Sequence, residues 1–179
     1  MHTACLGLRR DEVTSYTPVR MTWLATASPQ ARAWFVRGVA DSDGTVNLRN
    51  KTVVITSAPN TDFLRDILVS LGINTRTHES GGFGYVTISG QAAFELQIFN
   101  PEIPTHRGFL LQKMVEARTF QSRWPVWLQR RVASLLAREP RDSRVRDTLL
   151  FEDNIYVKLR TIRLKRTKND GAGGGLLAR

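Results

Sequence analysis

Two acidic side chains, Asp41 and Asp43, stand one residue apart after an apolar, small-residue stretch, Phe35-Val36-Arg37-Gly38-Val39-Ala40, and Gly44 follows them directly. An acid at the foot of a helix can serve a hard divalent cation if a second carboxylate meets it. Asp-Gly is also an ordinary helix-end or turn pair. A second group is cationic. Six of the fourteen residues from Ile155 to Lys168 are basic (Lys158, Arg160, Arg163, Lys165, Arg166, Lys168), and none is acidic. Such a run suits a phosphate backbone, and a solvated strand or tail is its plainer reading. Other chemistries lack their residues. His2, His78 and His106 have no metal-ligand spacing, and the lone Cys5 excludes an internal disulfide or a cysteine-rich zinc site. With no glycine-rich phosphate loop after a strand and no nucleophile elbow, nucleotide hydrolysis and acyl transfer have no support.

The charge balance narrows the partners. Twenty-six Lys+Arg against 16 Asp+Glu give +10 over 179 residues, with a pI near 10.8. Residues 1–117 hold 11 basic and 10 acidic side chains, whereas residues 118–179 hold 15 and 6. A nearly neutral body therefore carries a strongly basic C-terminal portion, which points to a polyanion, most commonly nucleic acid. A basic RNA-binding structural protein fits these totals equally well. No apolar run reaches the ~18 residues of a membrane span. The N-terminal residues lack a secretory signal pattern, so a reducing interior is expected: cytoplasmic or organellar, not secreted.

The elements that must position these residues follow from pattern. Ser28-Pro29 is a helix start, and the helix is expected from Pro29 to about Asp41, with Gly44 permitting the reversal at its end. Thr45–Arg49 alternates, Asn50-Lys51 turns, and Thr52–Ser57 is β-branched: a hairpin. Asn60-Thr61-Asp62 caps a helix over Phe63–Gly72. A second hairpin follows, Ile73–Glu79 and Gly84–Ser89, then a short helix from Gln91 and another over Gly108–Arg118. Helices on one side of an antiparallel sheet make an α+β fold. The uncovered face, with Asn47, Arg49, Thr52, Thr56, Asn74, Arg76, His78, Tyr85 and Thr87, is rich in groups that suit base edges in a groove. Beyond it, residues 125–138 form an amphipathic helix.

The stretch Phe35–Gly44 resembles the LAGLIDADG signature: aliphatic residues, a central glycine, then Asp-x-Asp-Gly closing a helix. The αββαββαα order over residues 28–118 is similar to the homing-endonuclease core of that family. Arg37 departs from the small residue usual there, and its i,i+4 spacing to Asp41 allows a helix-surface ion pair.

The resemblance implies a metal-dependent, site-specific DNA endonuclease. One motif per chain implies a homodimer on a pseudo-palindromic double-stranded DNA site, its motif helices meeting through Phe35, Gly38, Val39 and Ser42. It implies that Asp43 is catalytic and, with the Ser42 backbone carbonyl, holds Mg²⁺, about two or three ions per dimer, with Mn²⁺ able to substitute. Arg107 falls at the family's basic position, where it would stabilise charge on the phosphate; a helix-start or phosphate-contacting arginine is the plainer reading. Thr56 falls at the water-orienting position, with Ser57 the alternative if the register slips. The sheet would read DNA through Asn47, Arg49, Lys51, Asn74, Arg76, His78, Tyr85 and Thr87, and Lys158, Arg160, Arg163 and Lys165 would add phosphate contacts.

The expected organisation is an irregular N-terminal arm (1–27), the endonuclease core (28–118), a basic C-terminal extension (119–168) and a flexible tail (169–179). A chain opening on methionine favours an intron-encoded enzyme. A LAGLIDADG-derived RNA or DNA binder without cleavage, an intron maturase or a regulator, is the alternative.

Overall fold

The computed structural model describes residues 21–57, 60–80, 83–120 and 123–173. The chain divides into two compact units, Met1–Val115 and Glu116–Arg179.

The first unit includes a short helix, α1 (Thr22–Thr26), where an irregular arm is expected. Met21 and Leu24 are buried in the core, which gives this segment its reason to fold; residues 1–20 of the arm lie outside the described residues. Helix α2 (Pro29–Asp43) starts where the Ser28 hydroxyl accepts from the Ala31 amide (3.2 Å) and Pro29 takes the first helical position. It buries Val36 and Ala40 and runs past the expected end at Asp41. Gly44 does not reverse the chain there, because its backbone is extended (φ −77°, ψ 144°). Glycine is required for another reason: a β-carbon would collide with the Ala40 carbonyl and crowd the Phe99 ring.

The remaining elements are β1 (Gly44–Asn47), β2 (Thr52–Thr56), α3 (Thr61–Ser70), β3 (Thr75–Ser80), β4 (Phe83–Ser89), α4 (Gly90–Glu95) and α5 (His106–Glu116). From α2 onward this is the αββαββαα order. The strands form one antiparallel sheet, β1-β2-β4-β3. Alternation assigns its faces. Val53, Ile55, Val86 and Ile88 are buried in one cluster with Val36, Ala40, Leu64, Leu68, Ala93 and Met114 from the helices. On the other face, among the described residues, Thr45, Thr56 and Arg76 are exposed and Thr52, Val54, Tyr85 and Thr87 half-buried. The first hairpin turns through four residues, 48–51, rather than two, because the Asn47 side chain organises it. Asn47 Oδ1 accepts from the Arg49 and Asn50 amides (3.0 and 3.3 Å), and Lys51 takes a positive φ of 55°.

The second unit holds β5 (Arg118–Thr119), α6 (Val126–Arg138), α7 (Asp142–Phe151), β6 (Ile155–Tyr156) and α8 (Leu159–Gly173). It has its own core: Leu128, Val132, Leu136, Val145, Leu149, Ile155, Val157 and Ile162. Strands β5 and β6 pair in parallel. The basic extension is thus a packed helical unit. Helix α8 also continues to Gly173, into the stretch expected to be a flexible tail; residues 174–179 lie outside the described residues.

Candidate active site and nucleic-acid interface

Asp41, Ser42 and Asp43 close the last turn of α2 and face three ways. Asp41 Oδ1 accepts from the Asn100 amide (3.2 Å), fastening the loop that follows α4. The single Ser42 hydroxyl proton has two acceptors in reach, the Val39 carbonyl (2.9 Å) and Asp43 Oδ2 (3.1 Å). Asp43 is exposed. The ion pair considered for Arg37 with Asp41 is not what Arg37 makes: its guanidinium donates to the Gln97 carbonyl (2.9 Å) and reaches the Gln97 side-chain oxygen (3.5 Å).

Arg107 comes to the same turn from α5. Its Nη1 donates to the carbonyls of Ala40 (3.3 Å), Asp41 (2.9 Å) and Ser42 (3.2 Å). The last carbonyls of a helix lack intrahelical partners and carry the negative end of its dipole, so a guanidinium there satisfies both. Arg107 is therefore a clasp on the end of α2, and its charge lies beside the turn that carries Asp43. Thr56 arrives from the sheet. Gly44 pairs with Ile55, so β2 continues to Thr56 where the neighbouring chain enters α2 at Asp43. Thr56 is exposed on the open face, whereas Ser57 is half-buried and gives its amide to the Gly84 carbonyl (3.2 Å).

The donors at this turn, a carboxylate and a backbone carbonyl, are hard oxygens of the kind magnesium takes. One chain contributes too few of them. Among the described residues no three His, Cys, Asp or Glu side chains gather to hold a metal ion.

The register lays out the open face in rungs. Thr45, Val54, Thr87 and Arg76 form one, Thr56, Tyr85 and His78 another, and Asn47, Thr52 and Ser89 a third. His78 and Tyr85 stack with centroids 5.0 Å apart at 17°, which fixes both rings. Asn74 is exposed just before β3. Arg49, expected from the alternation to end the first strand, lies with Lys51 in the hairpin turn. Arg49 is exposed; Lys51 is half-buried, and burial pushes its ammonium pKa down.

The outward side of α2 carries Trp34, Gly38 and Ser42 at four-residue spacing, all exposed. Phe35 and Val39 are half-buried beside them, Phe35 meeting Phe63 edge-on at 5.7 Å. A β-carbon on Gly38 would meet nothing within 4 Å in this chain. Trp34, 60% exposed, is the residue of this face missed from sequence, although its spacing from Gly38 marks it.

The six cations of the C-terminal run separate into types. Arg166 is internal: it pairs with Asp142 (2.7 Å) and donates to the Leu136 and Glu139 carbonyls (3.2 and 2.8 Å). Lys165 lies over the Trp124 ring, 5.3 Å from its centre. Arg163 is exposed and 3.7 Å from Asp142. Lys158, Arg160 and Lys168 are exposed on the surface of the second unit.

Among the described residues no helix is long and apolar enough to cross a membrane. No curated protein and no solved structure matches the chain. A family profile described as a LAGLIDADG-like domain matches residues 30–103, which span α2, both hairpins, α3 and α4. Over that stretch the chain is similar to the LAGLIDADG family.

Proposed function

We propose that this chain is one subunit of a site-specific DNA endonuclease, intron-encoded, that makes metal-dependent double-strand cuts at a long pseudo-palindromic site as a homodimer. Asp43 carries the reading: an exposed carboxylate on the last turn of a helix whose outward face is unpacked around Gly38. Two copies meeting along Phe35, Gly38, Val39 and Ser42, with Trp34 at the rim, bring two Asp43 side chains together. The paired carboxylates and the Ser42 carbonyls would hold Mg²⁺ or Mn²⁺. Bound there, the ions supply an activated water and charge neutralisation at the leaving oxygen. The chain's own groups do the rest. Arg107 fixes the end of α2 and places positive charge beside the scissile phosphate. Thr56 orients water from the neighbouring strand. Asn47, Asn74, Arg76, His78, Tyr85 and Thr87 meet base edges in the major groove, and Arg49 and Lys51 approach from the hairpin turn. The enzyme would work in the cytoplasm or in an organelle that carries the intron.

One observation favours a second reading, a LAGLIDADG-derived binder that does not cut, such as a maturase or regulator. The Ser42 carbonyl already accepts from Arg107 (3.2 Å), so guanidinium and cation contend for one oxygen. Incubation with a randomised duplex library separates the readings. The endonuclease cuts a defined subset with Mg²⁺ and binds that subset without efficient cutting with Ca²⁺, whose geometry is looser. Sequence-selective binding with no cut under Mg²⁺ or Mn²⁺ would establish the binder. A preference for structured RNA over every duplex would make the protein an RNA-binding one.

A further inference from the structure

We propose that α8 is a second DNA-reading element, a helix whose outward face enters the major groove of duplex DNA and reads bases there. It rests on the reading of the chain as a duplex-DNA protein, but not on cleavage.

The helix has two sides of opposite character. One side is fixed. Ile162 is fully buried in the core of the second unit, and Arg166, three-quarters buried, is tied to Asp142 and to two carbonyls at the end of α6. Arg166 thus locks the rotation of α8 about its own axis, and a helix held this way presents its other side in a defined orientation. That other side carries Arg160, Arg163, Leu164, Thr167 and Lys168, all exposed. No acid occurs from Ile155 to Asn169, and the segment 118–179 holds 15 basic against 6 acidic residues. Charge alone therefore selects a polyanion for this face.

Leu164 decides what the face does with it. It is 53% exposed and lies one turn from Arg160 and from Lys168, at the middle of the cationic arc. A face made only to hold phosphates gains nothing from a large apolar side chain at its centre. The floor of the major groove does, because thymine offers a methyl group there, while guanine offers the paired acceptors that a guanidinium takes. Thr167 adds a methyl on the same face, its hydroxyl donating back to the Arg163 or Leu164 carbonyl (3.3 and 3.1 Å). The surroundings fit as well. Helices α6, α7 and α8 pack on one another in a small unit with its own core, and three-helix DNA readers commonly place their last helix in the groove. An RNA duplex is the poorer match, since its major groove is too narrow for a helix.

The test uses the full chain carrying Asp43→Asn, so that bound DNA stays intact, with selection from randomised duplexes. Arg160→Ala and Leu164→Ser are compared with that background; both positions are exposed, and circular dichroism checks the fold. Arg160→Ala should weaken binding to the selected site by roughly 5- to 150-fold and erase preference within one contiguous block of base pairs. Leu164→Ser should relax a thymine in that block, and Arg160→Lys should restore affinity more than preference. Lys168→Ala should weaken all sequences alike and lower the salt slope by ~0.9. Arg76→Ala on the sheet should affect a different block. Equal weakening of every duplex by Arg160→Ala and Leu164→Ser, with preference intact, would reduce α8 to a backbone clamp and overturn the proposal. Unchanged binding by both would overturn it as well. A chain whose α8 block is intact but which never cuts DNA would sink the endonuclease reading and leave this one standing.

Discussion

Three arginines of the first unit are fastened to backbone. Arg32 reaches the Ser70 carbonyl, Arg37 that of Gln97, and Arg107 the three carbonyls that end α2. The second unit fastens Arg166 in the same manner and pairs Arg131 with Glu152 and Asp153, yet presents Lys158, Arg160 and Lys168 on its surface. Cations of the first kind position a local feature, here the helix end beside Asp43. Cations of the second kind act through their sum on a partner that diffuses in. Net charge therefore marks the region that attracts a polyanion and says little about where the chemistry lies. The acid with the strongest claim to chemistry sits in the nearly neutral half.

The two units have distinct hydrophobic cores, and the largest expected effect tests whether they unfold separately. Leu149→Ala removes a fully buried side chain from the second core and should cost about 2 to 5 kcal/mol. Hydrogen exchange should then show faster exchange in α6, α7 and α8, with the amides of Val53, Ile55, Val86 and Ile88 still protected. Equal loss of protection in both sets would mean one cooperative unit.

Why some of this was legible in sequence, and some not, follows from the same contrast. The first unit announces itself by period. Val53 and Ile55 alternate with Thr52 and Thr56, Ser28-Pro29 opens α2, and the register of two hairpins follows. Asp43 and Gly38 are visible because a helix repeats every ~3.6 residues and both stand out as types. The clasp made by Arg107 was not legible, since nothing local ties position 107 to the carbonyls at 40–42. The role of Gly44 is likewise hidden: its β-carbon site is closed by the Ala40 carbonyl at the end of α2 and by Phe99, far along the chain. In the second unit, α7 hides because Arg144, Arg146 and Asp147 interrupt its few apolar positions, Val145, Leu149 and Leu150. The run after Ile155 reads as a phosphate-binding segment, with a solvated strand or tail as its plainer reading, because cations outnumber core residues; Ile162 and Arg166 pack it as a helix.

Gly38 within α2 and Gly44 directly after it sharpen the contrast at smaller magnitude. Gly44→Ala must shift the Ala40 carbonyl or Phe99 and should cost about 1 to 3 kcal/mol in the chain itself. Gly38→Leu meets empty space in this chain, so monomer stability should hold, while each homodimer would suffer the overpacking at both copies. Light scattering should find wild type dimeric without DNA and Gly38→Leu largely monomeric. A monomeric wild type at micromolar concentration, or a fully active dimer of Gly38→Leu, would remove the motif helix from the interface.

The most direct measurement compares wild type with Asp43→Asn, scoring cleavage and binding of one target in Mg²⁺. Asparagine keeps the size of the side chain and removes its charge, so cutting should vanish while binding stays within about tenfold, or ~1.4 kcal/mol. Undiminished cutting by Asp43→Asn would contradict the account, because it would leave α2 without a catalytic carboxylate.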